Sequence, residues 1–249
     1  MDKMLSVVLP AYNEEQMIKK TAQVVGDLLE KEQIPYELVF VNDGSKDHTW
    51  EKILELKEER AHIKGVCFSR NFGKEAALYA GLERAKGDYV ITMDVDLQDP
   101  PYLIPKMIRC IEEENYDSVA TRRVTREGEP VIRSFFARQF YKLINKISDS
   151  NIVDGARDFR MMKRKMVDAI LTMPEYNRFT KGIFGWVGFE TKWLEYKNVE
   201  RVAGETKWSF WKLFRYACEG IMAFSTAPLV AVSLMGVFVC IIAFYFWYL

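Results

Sequence analysis

Short apolar runs alternate with stretches of helical spacing through residues 1–120. LSVVLP (5–10) reads as a strand closed by Pro10. From Glu14 to Lys31, Met17, Thr21, Val24, Val25, Leu28 and Leu29 recur at the spacing of one helix face. YELVFVN (36–42) predicts a second strand, and the turn DGS follows it. Lys46 to Arg60 predicts a helix, with Trp50, Ile53, Leu54 and Leu56 apolar. IKGVCFS (63–69) is a third strand, and Lys74 to Ala85 an alanine-rich helix. DYVITMDVD (88–96) is a fourth strand with acids at its end. Pro100-Pro101 suits the first turn of a helix reaching Glu114, and YDSVATR (116–122) is a fifth strand. Strands separated by helices predict right-handed crossovers and a mostly parallel sheet.

The pattern then changes. Val131 to Ser148 is an aromatic-rich helical stretch, Asp158 to Met162 a short strand, and Lys163 to Leu171 a helix. GWVGFETKWLEY (185–196) is extended and partly alternating. Lys207 to Met222 is amphipathic: Trp211, Phe214, Ala217, Cys218 and Ile221 share one face, and Lys212, Arg215 and Glu219 the other. That face fits either the membrane interface or an ordinary domain helix. After Glu219 no charged residue or histidine occurs, and Ser225 to Leu249 is apolar with a terminal Tyr-Phe-Trp-Tyr cluster. Twenty-five helical residues reach ~37 Å, enough to cross a ~30 Å hydrocarbon core with tilt. A buried core helix is the alternative. The expected division is a catalytic domain over 1–206, a juxtamembrane helix over 207–223 and a membrane helix over 224–249. Lys207, Lys212 and Arg215, ahead of the span, place the globular part on the cytosolic side of a cell membrane.

Composition narrows the function. The 249 residues carry 35 basic and 35 acidic side chains, without the basic excess of a general nucleic-acid binder. The four cysteines form no CxxC and only His48 and His62 are present, which disfavours structural zinc and a disulfide scaffold. No GxGxxG, P-loop or GxSxG pattern occurs. The polar clusters fall instead at the carboxyl ends of the predicted strands, where parallel α/β sheets bind ligands. These are Tyr12-Asn13-Glu14, Asn42-Asp43-Gly44, Asp94-Val95-Asp96 and Arg122.

Each cluster has a chemical and a structural reading. Asp94 and Asp96, with Gln98 and Asp99 close behind, offer hard oxygen ligands for Mg²⁺ or Mn²⁺ beside a diphosphate, or acids that cap a turn. Asp43 can accept hydrogen bonds from a base or ribose, or hold an Asx-type turn. Tyr12 to Glu14 can stack on and bond a base, or Asn13 can cap the following helix.

The series LPAYNEE, VNDGS, SRNFGKEAALYAGL, MDVDLQDPP, DFRMMKR, RFTKG and RVAGETKWS resembles family 2 glycosyltransferases of the GT-A fold. More narrowly it resembles the polyprenyl-phosphate glycosyltransferases related to dolichyl-phosphate mannose synthase. The resemblance implies an α/β, Rossmann-like, mostly parallel sheet flanked by helices. Pro10, Tyr12, Glu14, Asp43 and Asp94 would then line the donor pocket, with Arg201 and Lys207 on a segment closing over the donor phosphates. Asp94, Asp96 and Gln98 match the metal and diphosphate motif, and Asp158 the catalytic position. Arg122 and Arg133 match acceptor-phosphate positions, and Arg160, two residues after Asp158 in DFR, is expected with them at the acceptor phosphate. Arg178 stands where processive relatives carry QxxRW, and its absence implies single sugar transfer.

The expectation is an inverting bacterial enzyme that moves one sugar, from a UDP-sugar by preference, to a polyprenyl phosphate. Its partners are the donor, the lipid and the membrane, not nucleic acid, and a homo-oligomer is compatible. Close relatives carry two or more C-terminal spans, so this chain has either a shortened membrane region or a single anchor. A glycan or glycolipid acceptor is the nearest alternative. A membrane-tethered nucleotide-sugar sensor is the next, disfavoured by the intact acids.

Overall fold

A computed structural model describes residues 3–123, 145, 153, 155–176, 178–196 and 210–249. The expected helix at 131–148 lies outside these residues, apart from Asn145, as do Arg133, Arg201 and Lys207. Leu5–Ala11 (β1) and Tyr36–Asn42 (β2) are buried along almost their whole length. Such continuous apolar runs belong to strands covered on both faces. With Ile63–Cys67 (β3), Tyr89–Thr92 (β4), Ser118–Arg123 (β5), Ala156–Lys163 (β6) and Thr191–Tyr196 (β7) they build one seven-stranded sheet, ordered β3-β2-β1-β4-β6-β5-β7. β1 to β4 pair in parallel, as does β5 with β7. β6 runs antiparallel to both its neighbours, β4 and β5.

The helices divide between the two faces because strand side chains alternate. Leu5, Val7 and Leu9 pack with Ile18–Lys31 (α1), Thr49–Glu59 (α2) and Ile104–Glu113 (α4). Val8 and Val39 face the other way, toward Lys74–Arg84 (α3), Arg164–Leu171 (α5) and Thr180–Trp186 (α6). α3 lies close against β1. A β-carbon on Gly81 would stand 2.2 Å from Val8 Cγ1, so the contact requires glycine.

Three boundaries differ from expectation. The fourth strand stops at Thr92. Met93 still donates its N–H to Val8 O at 3.1 Å, but Leu97 then takes φ +56° and the acids stand in a loop. A single 3₁₀ turn, Pro101–Leu103, precedes α4. Within 185–196, α6 occupies the start, Gly188 at φ +73° breaks the chain, and only Thr191–Tyr196 pairs as strand. Two glycines in the seven-residue α6 erase its helical periodicity.

Phe210–Phe224 (α7) and Ala227–Tyr248 (α8) complete the described chain. α8 is 22 residues of apolar sequence, long enough to cross a membrane, and none of its side chains is buried in the domain. The last turn of α7 seats on the start of α6. Phe224 and Phe179 meet edge to face at 6.2 Å, and Gly182 opens the notch that Phe224 fills.

Candidate active site

Thr92 on β4 stands opposite Arg160 on β6. Past that last pair the chain leaves the sheet, and Asp94 in the following loop comes to the same ammonium as Asp158 on β6. The Thr92 hydroxyl donates to Asp158 O and fixes the edge. The two carboxylates share one cation: Lys74 Nζ lies 2.6 Å from Asp94 Oδ1 and 2.6 Å from Asp158 Oδ2. Burial alone would raise Asp158, but Lys74 and then Lys181 hold its carboxyl far below the usual range. The same acids, Asp158 first, raise the Lys74 ammonium against the opposing effect of burial.

The Asp94–Asp99 loop is braced from within. Asp94 N–H donates to Asp99 Oδ2 at 3.2 Å, Gln98 N–H to Asp96 Oδ1 at 3.1 Å, and the Thr21 hydroxyl to Val95 O at 2.5 Å. Asp99 is buried against Arg157 (3.5 Å) and Tyr196 (3.4 Å). Burial raises its carboxyl to about 6, even with the Arg157 guanidinium pulling the other way.

A cavity of about 170 Å³ is lined by residues that include Arg157, Arg160, Lys181, Phe184, Phe189 and Trp193, of which Arg157 and Lys181 act electrostatically on Asp158. Arg160 stacks on Phe184 (4.5 Å) and Trp193 (5.3 Å), and its Nη1 donates to Ser118 and Thr191 at 3.0 and 3.1 Å. Its Nε is buried without a hydrogen-bond partner among the described residues. Burial lowers this guanidinium to about 9, and Asp158 offsets part of that. Asp158 thus acts on Arg160 through space, while its Oδ2 is committed to Lys74.

The other expected donor residues sit at the ends of β1 and β2. Pro10, Tyr12 and Glu14 are half-buried. Their loop is laced to the next one: Asn13 N–H donates to Ser45, Lys46 N–H to Asn13 Oδ1, and Glu14 N–H to Thr49. Asn13 therefore holds the Lys46 turn rather than capping α1, which begins at Ile18 without a side-chain cap. Asp43 accepts from Asn71 Nδ2 and from the N–H groups of Phe72 and Gly73. Its carboxylate thus tethers the loop that leads into α3. Arg122 pairs with Glu195 on β7. Arg178 lies over the Tyr79 ring at 4.5 Å and donates to Met173 O.

Lys74, Arg157 and Lys181 were not among the residues anticipated for the site. Lys74 carried one signal: it opens a helix, where the dipole disfavours a cation.

Among the described residues, no three His, Cys, Asp or Glu side chains form a ready-made metal cage. The set nonetheless fits a hard divalent ion. Asp94 and Asp96 stand in one braced loop after β4, Asp94 already draws a cation at 2.6 Å, and Mg²⁺-like ions are often bound by one or two carboxylates plus substrate phosphates.

A mostly parallel sheet covered by helices on both faces, with Asp94 after β4 and Asp158 on β6 brought to one cation, is the architecture of a GT-A-type fold. Residues 6–171 match Glycosyl transferase family 2, and the chain belongs to that family. It is 44% identical over 240 residues to the bactoprenol glucosyl transferase of Shigella phage SfV, covering 96% of this chain and 78% of that one. A prophage bactoprenol glucosyl transferase homolog of Escherichia coli K12 is 43% identical with the same coverage. Among solved structures, glucosyl-3-phosphoglycerate synthase from Mycobacterium tuberculosis, in complex with Mn²⁺, UDP-glucose and phosphoglyceric acid, superposes with a TM-score of 0.58. It is 19% identical and covers 88% of this chain and 78% of that one, a likeness of fold.

Proposed function

We propose that this chain transfers one sugar from a nucleoside-diphosphate sugar, UDP by preference, to a polyprenyl phosphate at the cytosolic membrane face, inverting the anomeric centre. The observation that carries the reading is a single geometry. Asp94 and Asp158 share Lys74, and Asp158 lies within the electrostatic reach of Arg157, Arg160 and Lys181, which line a cavity, on a domain joined to an apolar 22-residue helix. The bactoprenol enzymes among its relatives support the lipid acceptor.

Asp94 and Asp96, with Gln98 alongside, would hold the divalent ion, whose chemistry is to neutralise charge on a departing diphosphate. The remaining work falls to the protein. Arg157, Arg160 and Lys181 offset the repulsion between two polyanions, and an arginine fork suits phosphate oxygens. Phe184 and Trp193 pin Arg160 so that its charge is pre-aimed. A phosphate monoester has its second pKa near ~6 and is largely dianionic at neutral pH. The acceptor needs little deprotonation, so Asp158, already ionised, orients it through the cations around it, Arg160 among them, rather than by taking its proton.

The test uses purified full chain in detergent, with Mn²⁺ or Mg²⁺, a panel of nucleotide sugars and polyprenyl phosphate, the product being read by mass. A polyprenyl-phosphate sugar made by wild type and lost in Asp94→Asn is expected. Transfer to glycans or glycolipids in place of the polyprenyl phosphate would overturn the acceptor.

A further inference from the structure

The residue that joins the two halves of this centre has no assigned part. Lys74 is the first residue of α3, where the helix dipole disfavours a positive charge. Two half-buried carboxylates, Asp94 in the loop after β4 and Asp158 on β6, converge on it, each at 2.6 Å. The neighbouring residue fixes the same helix end a second time: Glu75 Oε2 accepts the Thr180 N–H at 2.8 Å and the Thr180 hydroxyl. Thr180 begins α6, which also carries Lys181 and Phe184 into the acceptor-side cavity. On the other side, Asp43 holds the loop leading into α3 by the N–H groups of Phe72 and Gly73. The α3 N-terminus is thus pinned from β2, from the loop after β4, from β6 and from α6.

We propose that Lys74 is a positioning residue that sets the distance between the donor-side and acceptor-side carboxylates. This deepens the transferase reading and rests on Asp94 being a metal ligand. Without metal, the ammonium keeps Asp94 and Asp158 from repelling each other apart. Asp94 would hold a divalent ion with the same carboxylate that Lys74 now contacts, so the ammonium and the ion would compete for Asp94. Lys74 stays on Asp158 and holds it toward the acceptor. Two consequences follow from charge alone. The ammonium weakens metal binding to the donor-free protein, and its loss leaves Asp158 without the contact that aims it.

Mn²⁺ binding to the full chain in detergent, followed by electron paramagnetic resonance without donor, tests the first. Steady-state kinetics at saturating Mn²⁺ test the second. Lys74→Met is expected to bind Mn²⁺ about tenfold tighter, because a repelling unit charge next to the ion has gone. Its kcat is expected to fall at least about 100-fold while the donor KM stays within about threefold, the signature of an interaction used after binding. Lys74→Arg keeps the charge and is expected to restore wild-type Mn²⁺ affinity and part of kcat. Unchanged or weaker Mn²⁺ binding in Lys74→Met, or a kcat within threefold of wild type, overturns the proposal. Should Lys74→Met fail to fold, Lys74→Arg decides: wild-type Mn²⁺ affinity with kcat lowered about tenfold supports it, and wild-type kcat overturns it. Asp94→Ala separates the underlying reading. If wild-type Mn²⁺ binding survives that change, Asp94 is no ligand, and both conclusions fall at a step that Lys74 does not touch.

Discussion

Asp43 accepts the main-chain N–H of Phe72 at 2.7 Å, across 29 positions of sequence. With the Gly73 N–H and the Asn71 amide on the same carboxylate, it fastens the end of β2 to the turn that launches α3. Gly73 takes φ +98° there, a conformation that glycine adopts freely. Any contact Asp43 makes with a nucleotide is made by a group already committed to this loop.

Asp43→Ala is therefore expected to lower stability by roughly 1–2 kcal/mol, since the released N–H groups lie near solvent and water replaces part of the loss. It should also cut kcat, because Lys74 follows directly on the untethered turn. Asp43→Asn keeps one acceptor oxygen and should fall between. Denaturant titration paired with turnover checks this, and a change in donor KM alone would assign Asp43 to the nucleotide instead.

Asp99 gives a pH dependence whose sign is set by burial. Its folded carboxyl stands at about 6, above the usual 3.8, so the folded chain holds the proton more tightly. That contribution to stability is complete below pH 3.8 and disappears as pH rises to about 6. Asp158 has the opposite sign. Its carboxyl is depressed, so its contribution is complete above 3.8 and is lost only as pH falls below it. Between pH 4 and 6 the wild type should lose stability relative to Asp99→Asn, by at most about 3 kcal/mol. Unfolding curves at pH 4, 5, 6 and 7 measure the gap, and a constant gap would remove Asp99 as its source.

Arg160 separates stability from function. It is 4% exposed, and its buried guanidinium is bonded to hydroxyls, without a direct carboxylate partner among the described residues. Replacing buried charge with an apolar group of similar volume is often neutral or stabilising. Arg160→Met should stay within about 1 kcal/mol of wild-type stability. Its kcat/KM for acceptor should fall at least about tenfold, the loss of one charge-assisted contact. Equal activity would make Arg160 a packing residue of β6.

The parallel half of the sheet was legible because β1 to β4 are apolar runs separated by amphipathic helices, and local pattern is enough to read them. Asp94 and Asp96 were legible for the same reason, since they follow such a run. The pairing of Asp94 with Asp158 was not. It depends on β6 entering the sheet antiparallel between β4 and β5, a long-range choice that leaves no local periodicity. Lys74 was hidden similarly: its partners are 20 and 84 positions away, and only the fold brings them to one ammonium. α6 escaped because Gly182 serves a contact with Phe224 of α7 and Gly185 lines the cavity, roles that exist only in the assembled fold.

That contact makes the last prediction. A β-carbon on Gly182 would come 2.4 Å from Phe224 Cε2, and one on Gly220 would meet the Phe179 ring at 3.4 Å. Gly182→Val forces the end of α7 away from α6, at a cost of about 1–3 kcal/mol for overpacking. Only Ser225 and Thr226 separate α7 from the apolar α8, so the displacement also shifts the site relative to the membrane helix. A short-chain polyprenyl phosphate that diffuses in micelles should tolerate the shift, whereas a long-chain acceptor held in a bilayer should not. The ratio of kcat/KM for long over short acceptors is expected to drop severalfold in Gly182→Val. Phe224→Ala, which loosens the same contact by leaving a cavity, should lower it in the same direction. Equal losses on both acceptors would mean that the α6–α7 contact stabilises the chain without setting the height of the site.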